Sequence, residues 1–223
     1  MDRRFIRNLG ALSREECALL AQKRVLVAGC GGLGGHLIEL LTRVGVGAIL
    51  AADADVFEES NFNRQLLSGT SVLGKSKAQT ARARALDINP AVDFTAVEAY
   101  LDERSTPGLL PGCDAVLDGL DSIPARKMLA RACTDAGIPL IYGAIRGWAA
   151  QAAVSMPGDG LLELLYPADA ALTDKSVLSF TPALCAAMQV SLCVRLLLGR
   201  PVETGVVHYV DLLGEEYERI EFR

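Results

Sequence analysis

The sequence predicts an α/β protein with a mostly parallel sheet, helices on both faces of that sheet and an antiparallel extension at the C-terminal end. Hydrophobic residues make up 51% of the 223 residues and aromatic residues only 5%, which suits helices packed closely on a sheet. Strand-like and helix-like stretches alternate as far as Gly143, and several strand-like stretches then follow one another. We expect one domain, 1–223, with a first half of about 1–143 and an extension of about 144–223.

The first elements predict a β-α-β unit. A helix over 13–22 opens with a capping-box pattern and leads into a short, branched apolar run at 24–29. A second such run, at 48–53, follows an apolar helical stretch at 36–44. This order forces the two strands to be parallel, so the sheet is predicted to be Rossmann-like, with the first turn at the carboxyl edge where open sheets bind ligands.

The same patterns predict the rest of the sheet and its helices. The remaining predicted strands are 93–97, 115–120, 139–143, 150–155, 161–165 and 206–211, and the remaining predicted helices are 75–86, 123–136 and 182–198. The last helix has Thr181 as its predicted N-cap, Pro182 at its first position and Gly199 just past its end. It contains Gln189 and Arg195 and is shorter than the roughly 20 apolar residues of a membrane span, so we expect a buried helix.

Charge and leader signals exclude some classes of protein. The net charge is −5 and no basic run stands out, which argues against a nucleic-acid-binding surface. The first ten residues contain three arginines but no apolar stretch follows them, so they lack the layout of a secretion signal. We expect a cytoplasmic protein that does not insert into membranes.

The metal-binding and nucleophilic residue types are few. None of the six cysteines are spaced as Cys-x-x-Cys, so no structural zinc is predicted. Two histidines offer little material for a histidine metal centre or a Ser-His-Asp triad. Cys185 lies inside the predicted buried helix, where a desolvated thiol is normally inert, and is therefore not predicted to be a nucleophile.

A glycine-rich turn indicates nucleotide binding. Gly29-Cys-Gly-Gly-Leu-Gly-Gly35 lies between a predicted strand and a helix, so backbone N–H groups can approach a phosphate at the helix N-terminus. Asp53 ends the second predicted strand, where a carboxylate can accept hydrogen bonds from ribose hydroxyls. The pair favours an adenine nucleotide over a purely structural turn, without deciding between NAD and ATP.

Cationic side chains after the second strand favour ATP. Arg64 and Lys77 follow the predicted ribose site, and a triphosphate needs such charges to neutralise its phosphates and the departing pyrophosphate. Asp121 follows the strand 115–120 and can bind Mg²⁺ through oxygen. Asp118 is an alternative Mg²⁺ ligand, in which case Asp121 caps the next helix.

The order of these motifs resembles the ThiF/MoeB/HesA family, relatives of the ubiquitin-activating enzymes. The shared pattern is Gly-x-Gly-Gly-x-Gly, Asp, Ser-Asn-x-x-Arg-Gln, Gly-x-x-Lys and Leu-Asp-x-x-Asp, and later segments around Gln151, Thr181 and Tyr209 extend it over nearly the whole chain. The resemblance implies an enzyme that uses ATP and Mg²⁺ to adenylate the C-terminal carboxylate of a small ubiquitin-like sulfur-carrier protein ending in Gly-Gly. It places the enzyme in thiamine or molybdopterin biosynthesis and implies a homodimer.

The resemblance also assigns roles by position. It implies nucleotide binding by Gly29, Gly31 and Gly32, ribose contact by Asp53, triphosphate contacts from Asn61, Arg64 and Lys77, and Mg²⁺ binding by Asp121. Arg7 lies where the family has an arginine that reaches the triphosphate of the neighbouring subunit, with Arg3 and Arg4 as close alternatives. No general base is required, because a C-terminal carboxylate with a pKa of roughly 3.5 is already ionised at neutral pH.

This chain departs from the family pattern at its cysteines. Many relatives carry two Cys-x-x-Cys pairs for zinc and a cysteine in the loop before the long helix, and the corresponding segment here, 166–176, has none. We therefore predict adenylation without a protein thioester. Alternative functions are activation of a small-molecule or tRNA-borne carboxylate, an NAD-dependent dehydrogenase, and a nucleotide-binding scaffold without turnover.

Other polar and aromatic residues have two interpretations each. Arg146 and Trp148 follow a predicted strand and either line the path of the incoming tail or serve packing. Asp55, Glu58 and Glu59 form either an acidic rim that docks a basic carrier surface or a set of solvated loop charges.

Overall fold

The computed structural model describes residues 2–167 and 176–222, which form eight strands and six α-helices together with short 3₁₀ turns. The strands are β1 Arg24–Ala28, β2 Ala48–Ala52, β3 Asp93–Val97, β4 Ala115–Asp118, β5 Leu140–Arg146, β6 Ala149–Ser155, β7 Val206–Asp211 and β8 Glu216–Glu221. The helices are α1 Arg14–Leu20, α2 Gly32–Val44, α3 Lys77–Ile88, α4 Ile123–Ala136, α5 Leu161–Leu165 and α6 Phe180–Leu197.

All eight strands belong to one sheet in the order β3-β2-β1-β4-β5-β6-β7-β8. The pairs from β3 to β5 are parallel, and the pairs from β5 to β8 are antiparallel. The predicted mixed α/β fold, parallel first and antiparallel at the C-terminal end, is confirmed. The strand order reverses between β1 and β4, and the carboxyl ends of strands at such a switch point border a crevice.

Local sequence determines where α1 begins and how the chain turns from α2 into β2. Ser13 Oγ accepts a hydrogen bond from Glu16 N at 3.1 Å and Glu16 Oε2 accepts one from Ser13 N at 2.7 Å, so the predicted capping box starts α1. At the end of α2, Gly45 takes a left-handed φ of 97°, which a glycine adopts without steric cost and which turns the chain into β2.

Helices cover both faces of the sheet and give two hydrophobic cores. One core joins α2, α3 and α6 to the sheet and includes the fully buried Leu37 and Leu41, while the other joins α4 and α5 to the opposite face through Leu129 and Leu162. Burying each of these leucines contributes about 1.5–3 kcal/mol. The cores hold β1 and β4 rigidly from both sides, which fixes the crevice between their ends.

Helix α6 belongs to the core. It is the only helix of the described residues that is long and apolar enough to span a membrane, yet it packs on α2, β5 and β6. Gln189 at its centre is fully buried and donates from Nε2 to the Asp118 and Ile141 carbonyl oxygens, both at 2.9 Å. A Cβ at Gly143 would lie 2.3 Å from the Gln189 side chain, so the close approach of helix and sheet requires glycine there.

Two element predictions are wrong, and one strand was not predicted. The stretch 161–165 is the helix α5 and not a strand, since Gly160 turns the chain with a φ of 66° and Asp159 Oδ1 accepts from Leu161 N at 3.0 Å. Thr181 is not an N-cap, because α6 begins at Phe180 and the Thr181 hydroxyl donates to the Gly147 carbonyl at 2.7 Å. The exposed, charged strand β8 has no apolar pattern that would predict it.

Candidate functional site

The glycine turn after β1 packs so tightly that side chains are excluded from it. Gly29 has a φ of 92° and its N–H donates to the Ala52 carbonyl of β2 at 2.8 Å. A Cβ on Gly34 would lie 1.9 Å from the Gly29 carbonyl oxygen, and a Cβ on Gly119 would lie 2.8 Å from the Ala28 carbonyl oxygen. The turn is thereby clamped between α2 and the end of β4.

The first turn of α2 faces the crevice with its backbone. Gly31 is its N-cap and makes no side-chain capping hydrogen bond, so N–H groups of the first turn keep the capacity to bind an anion. A cleft of about 300 Å³ opens in front of this turn, at the switch point of the sheet.

The cleft brings together seven of the nine predicted site residues. Those that line it are Gly29, Gly31, Gly32, Asp53, Arg64, Lys77 and Asp121. Asn61 and Arg7 do not line it. Gln65, Tyr100 and Arg126 also line the cleft, and the sequence patterns predict no role for them.

Asp53 ties the glycine turn to the end of β2. Its Oδ2 accepts a hydrogen bond from Cys30 N at 2.7 Å, and its Oδ1 accepts one from Asp55 N at 2.8 Å. Two backbone donors thus fix the carboxylate orientation, and its remaining lone pairs can accept further hydrogen bonds from a group in the cleft.

Lys77 begins α3 and extends into the cleft with its side chain only 8% exposed. Its Nζ donates to Asp55 Oδ2 at 3.0 Å, and Tyr100 OH donates to Asp55 Oδ1 at 3.3 Å. Asp55, placed in a predicted acidic rim, therefore lies in the cleft as the partner of Lys77. Its own side chain is 51% exposed.

Arg64 lies over the start of α2. Its aliphatic stem packs on Gly32. A Cβ added at Gly32 would lie 3.6 Å from Arg64 Cγ, which is an ordinary van der Waals distance. The guanidinium donates from Nη1 to the Ser60 carbonyl at 2.8 Å and to Asn63 Oδ1 at 2.9 Å. Both acceptors are neutral, so the positive charge of Arg64 is not cancelled by these contacts.

Asn61 lies beneath the cleft and does not line it. It is buried, its Oδ1 accepts from Glu58 N at 3.0 Å, and its carbonyl accepts from the Arg64 and Gln65 N–H groups at 3.1 and 2.9 Å. It therefore orders the turn that carries Arg64. A direct contact of Asn61 with a triphosphate stays a prediction.

The two candidate Mg²⁺ ligands occupy different environments. Asp121 is exposed and lines the cleft, and the cap of α4 is Ser122, whose Oγ accepts from Ala125 N at 3.4 Å. Asp118 is fully buried, with Oδ2 lying 3.5 Å from Arg126 Nε, and burial raises the pKa of its carboxyl to about 6 against the attraction of Arg126. Asp121 is thus the carboxylate that a ligand in the cleft can reach.

Arg7 lies far from the cleft of its own chain. It belongs to a 3₁₀ helix, Arg3–Asn8, that contacts the C-terminal end of α2, where Asn8 Nδ2 donates to the Val44 carbonyl at 3.1 Å. The glycine turn is at the other end of α2, roughly 20 Å away for a 13-residue helix. A role of Arg7 in a neighbouring subunit stays a prediction.

A second cleft, of about 480 Å³, adjoins the first and shares Arg126 and Ile145 with it. It runs over the open face of β5 to β7, where Arg146, Trp148 and Tyr209 line it. The Trp148 ring is tilted against Phe180 with centroids 5.1 Å apart and remains 42% exposed. Trp148 therefore both packs and lines the cleft.

The cysteines of the described residues are free and mostly buried. Burial raises the pKa of the Cys185 thiol to about 12, and its Sγ donates to the Gln151 carbonyl at 3.4 Å, as expected for an inert thiol. The loop 166–176 is the segment for which no nucleophilic cysteine is predicted. Residues 168–175 of this loop lie outside the described residues. No group of three or more His, Cys, Asp or Glu side chains in the described ranges is arranged to hold a metal ion.

Comparison with known proteins identifies relatives over nearly the full chain. The sequence model of the ThiF family matches residues 4–223. The SAMP-activating enzyme E1 of Haloferax volcanii is 33% identical over 214 residues, which cover 92% of this chain and 78% of that protein. The molybdopterin-synthase adenylyltransferase of Salmonella typhimurium is 38% identical over 125 residues, covering 56% of this chain and 50% of that protein.

Solved structures share the fold at low identity. Escherichia coli MccB in a crystal structure with succinimide has a TM-score of 0.86 at 18% identity, covering 99% of this chain and 71% of that one. MccB with ATP gives a TM-score of 0.84 at 18% identity, covering 100% of this chain and 72% of that one. The chain spans only 34% of another relative, the adenylyltransferase/sulfurtransferase MoeZ of Mycobacterium tuberculosis.

Proposed function

This chain belongs to the ThiF family, and from that premise we propose that it is an ATP-dependent adenylyltransferase that activates the C-terminal carboxylate of a ubiquitin-like sulfur-carrier protein. The observation that carries the proposal is the cleft at the switch point, where a carboxylate, two cations and a further acid surround an uncapped helix N-terminus. Relatives named as a SAMP-activating E1 and as molybdopterin-synthase adenylyltransferases support the reaction type.

In this proposal the nucleotide lies between the glycine turn and the end of β2. The N–H groups of the α2 N-terminus bind phosphate oxygens. The phosphate can approach this backbone closely because Gly29, Gly31 and Gly32 have no side chains. Asp53, already oriented by two backbone donors, accepts hydrogen bonds from the ribose hydroxyls.

Lys77 and Arg64 bind the β- and γ-phosphates. Lys77 exchanges its hydrogen bond to Asp55 for one to a phosphate oxygen. The guanidinium of Arg64 donates to neutral acceptors, so its positive charge remains available for an incoming anion. Asp121 supplies a carboxylate oxygen to Mg²⁺, which is commonly bound by one or two carboxylates together with substrate phosphates. When bound there, the ion would supply Lewis-acid stabilisation of the negative charge on the phosphates and on the pyrophosphate leaving group.

The reaction forms one bond and breaks one. A carboxylate oxygen of the carrier attacks the α-phosphorus of ATP, an acyl-adenylate forms, and the bond between the α-phosphorus and the bridging oxygen breaks to release pyrophosphate. The attacking carboxylate is ionised at neutral pH, so no proton has to be removed. Positioning and charge stabilisation carry the acceleration, and such preorganised charges are worth about 100- to 1,000-fold each.

The second cleft gives the carrier tail a path. It adjoins the nucleotide cleft at Arg126 and Ile145 and continues across the open sheet face, which suits an extended peptide better than a compact small molecule. A Gly-Gly end has no side chains, so its backbone can pass close to Arg126 and Ile145 where the clefts adjoin. Trp148 and Arg146 line this path in the proposal.

ATP–pyrophosphate exchange tests the proposal directly. The protein is incubated with Mg-ATP, labelled pyrophosphate and a small ubiquitin-like protein ending in Gly-Gly, with the same carrier bearing a C-terminal carboxamide as control. We expect exchange with the free carboxylate and none with the carboxamide. Exchange with simple carboxylic acids but not with the carrier would favour the small-molecule alternative, and ATP binding without any exchange would favour a scaffold.

We further propose a cytoplasmic homodimer in which Arg7 completes the site of the neighbouring subunit. Two inactive variants, Arg7→Ala and Lys77→Ala, are refolded together in equal amounts. If Arg7 acts across the interface, mixed dimers contain one intact site and exchange returns to about a quarter of the wild-type rate. No recovery on mixing, with dimers present, would contradict this role.

A further inference from the structure

Arg126 is a buried cation that lines both clefts. It lies in the first turns of α4, is only 4% exposed, and is one of two residues shared by the nucleotide cleft and the second cleft. Buried arginines are rare without a partner, and this one carries a Nε atom that has no hydrogen-bond partner in the described structure. The burial of a charged side chain at this position therefore needs a reason other than packing.

One half of the Arg126 network holds the turn that carries Asp121. Arg126 Nη2 donates to the Leu120 carbonyl at 2.8 Å, and Leu120 N donates to Asp118 Oδ1 at 2.9 Å. The buried Asp118–Arg126 pair, with Oδ2 to Nε at 3.5 Å, thus fixes Leu120 from both its carbonyl and its N–H. Asp121 follows directly, so its place in the cleft depends on this pair.

The other half of the network reaches the second cleft. Arg126 Nη1 donates to Tyr166 OH at 3.3 Å, the Tyr166 and Tyr142 hydroxyls are 2.5 Å apart, and Gln151 Nε2 donates to Tyr142 OH at 2.6 Å. The Tyr142 ring lies below the guanidinium at 5.9 Å. Tyr166 and Gln151 line the second cleft, so one guanidinium orders groups on both sides of the junction.

We propose that Arg126 is a positioning residue of the adenylation reaction, which sets both the place of Asp121 at the triphosphate and the entrance by which the carboxylate arrives. The inference rests on the proposed function. A guanidinium suits this task because its fixed fork of donors holds Leu120 and Tyr166 at once, whereas a lysine ammonium is a single point of charge on a flexible stem. Arg126 itself makes no bond to the reacting atoms.

Arg126→Lys tests the proposal, with Arg131→Lys as a matched control. Arg131 lies on the same helix, is exposed, and lines neither of these two clefts. For Arg126→Lys we expect the Mg²⁺ concentration at half-maximal ATP binding to rise about tenfold or more, and KM for the carrier to rise by a similar factor, since an ångström of displacement at such sites costs about 100-fold. The control should stay within about twofold.

Tyr166→Phe separates the two halves. It removes one hydroxyl from the second cleft and leaves the Leu120 contact intact, so we expect a higher carrier KM with an unchanged Mg²⁺ midpoint in the folded protein. It also keeps the proposal testable if Arg126→Lys fails to fold. A carrier KM equal to that of the wild type would overturn the link to the second cleft.

A purely structural role gives a different pattern. Arg126→Lys would then lower the unfolding free energy while the folded fraction kept its Mg²⁺ midpoint and carrier KM, and that result would overturn the proposal. The Mg²⁺ midpoint is measured by ATP binding alone. If the wild-type protein shows no exchange with any carrier, the proposed function fails, while the binding measurement still decides whether Arg126 positions Asp121.

Discussion

The substitution Gly34→Ala offers a quantitative test of the glycine turn. The added Cβ would lie 1.9 Å from the Gly29 carbonyl oxygen, whereas ordinary contact begins at 3.4 Å, so helix and turn must separate by about 1.5 Å. Overpacking of this kind costs about 1–3 kcal/mol or more, and the better helix propensity of alanine returns at most about 1 kcal/mol. We expect a net loss of about 2 kcal/mol of unfolding free energy.

The functional loss should be larger than the loss of stability suggests. A separation of about 1.5 Å moves the α2 N-terminus relative to Asp53 and Lys77, and misplacement by about 1 Å costs on the order of 100-fold in rate. We therefore expect carrier-dependent exchange to fall by about 100-fold or more at temperatures where the variant is fully folded. Denaturant unfolding and exchange are measured on the same preparation.

The neighbouring Gly35→Ala is the matched control. Its Cβ would lie 3.3 Å from Leu67 Cγ, a side-chain contact that relaxes by a few tenths of an ångström, so stability should change by less than about 1 kcal/mol and exchange by less than about threefold. If Gly34→Ala behaves like Gly35→Ala in both measurements, the turn relaxes freely and the reasoning from its close packing is refuted.

Three further substitutions probe the cations, the surface charges and the buried thiol. Lys77→Ala should lower exchange by about 100- to 1,000-fold while the exposed Lys75→Ala changes it little; equal effects would show that general positive charge suffices. Partial desolvation alone would raise the pKa of Glu39, but its hydrogen bonds with the Arg84 guanidinium outweigh the desolvation and lower this pKa. The stabilising contribution of Glu39 is therefore present at neutral pH and is lost as the pH falls through the lowered pKa. Glu39→Gln should lower the unfolding free energy by about 1 kcal/mol at neutral pH, with the difference vanishing in acid, and a pH-independent difference would contradict this origin. Cys185→Ala should retain exchange within about twofold because the thiol is buried, and the wild-type protein should form no adduct with the carrier that a thiol reductant cleaves. Such an adduct in the wild-type protein, absent from Cys185→Ala, would instead indicate a thioester.

Much of the fold follows closely from local sequence. The strands β3 and β7 and the helix α4 have the predicted bounds, because each is a periodic run bordered by clear turn or cap residues. The errors have physical causes. Leu161 and Leu162 form an apolar pair that fits either a strand or a helix, and the left-handed Gly160 before them decides for a helix only in context. Strand β8 is stabilised by pairing with β7, while its own residues are all exposed.

Site residues that lie at the ends of strands and helices were predictable from the sequence. Asp53 directly follows β2 and Lys77 starts α3, and a parallel sheet brings the carboxyl ends of its strands to one edge. Tyr100 and Arg126 reach the cleft through tertiary packing, which no local spacing reports. One signal for Arg126 was available, since it occupies the apolar face of α4 between the buried Ile123 and Leu129, where an arginine needs a buried partner.

The contact between Lys77 and Asp55 leads to a preference among nucleotides. Lys77 is almost fully buried, whereas Asp55 is half exposed, so replacing Asp55 by a phosphate oxygen returns the carboxylate to water at small cost and leaves the ammonium paired. The gain in this exchange grows with the charge of the incoming anion, and Arg64 adds to it because its present acceptors are neutral. ATP should therefore bind more tightly than AMP by at least about tenfold. Asp55→Asn, which removes the competing carboxylate, should tighten ATP proportionally more than AMP, because AMP lacks the β- and γ-phosphates that Lys77 binds. Calorimetric titration of both nucleotides into both proteins measures these four affinities, and equal affinities for AMP and ATP in the wild-type protein would mean that Lys77 does not exchange its partner for phosphate.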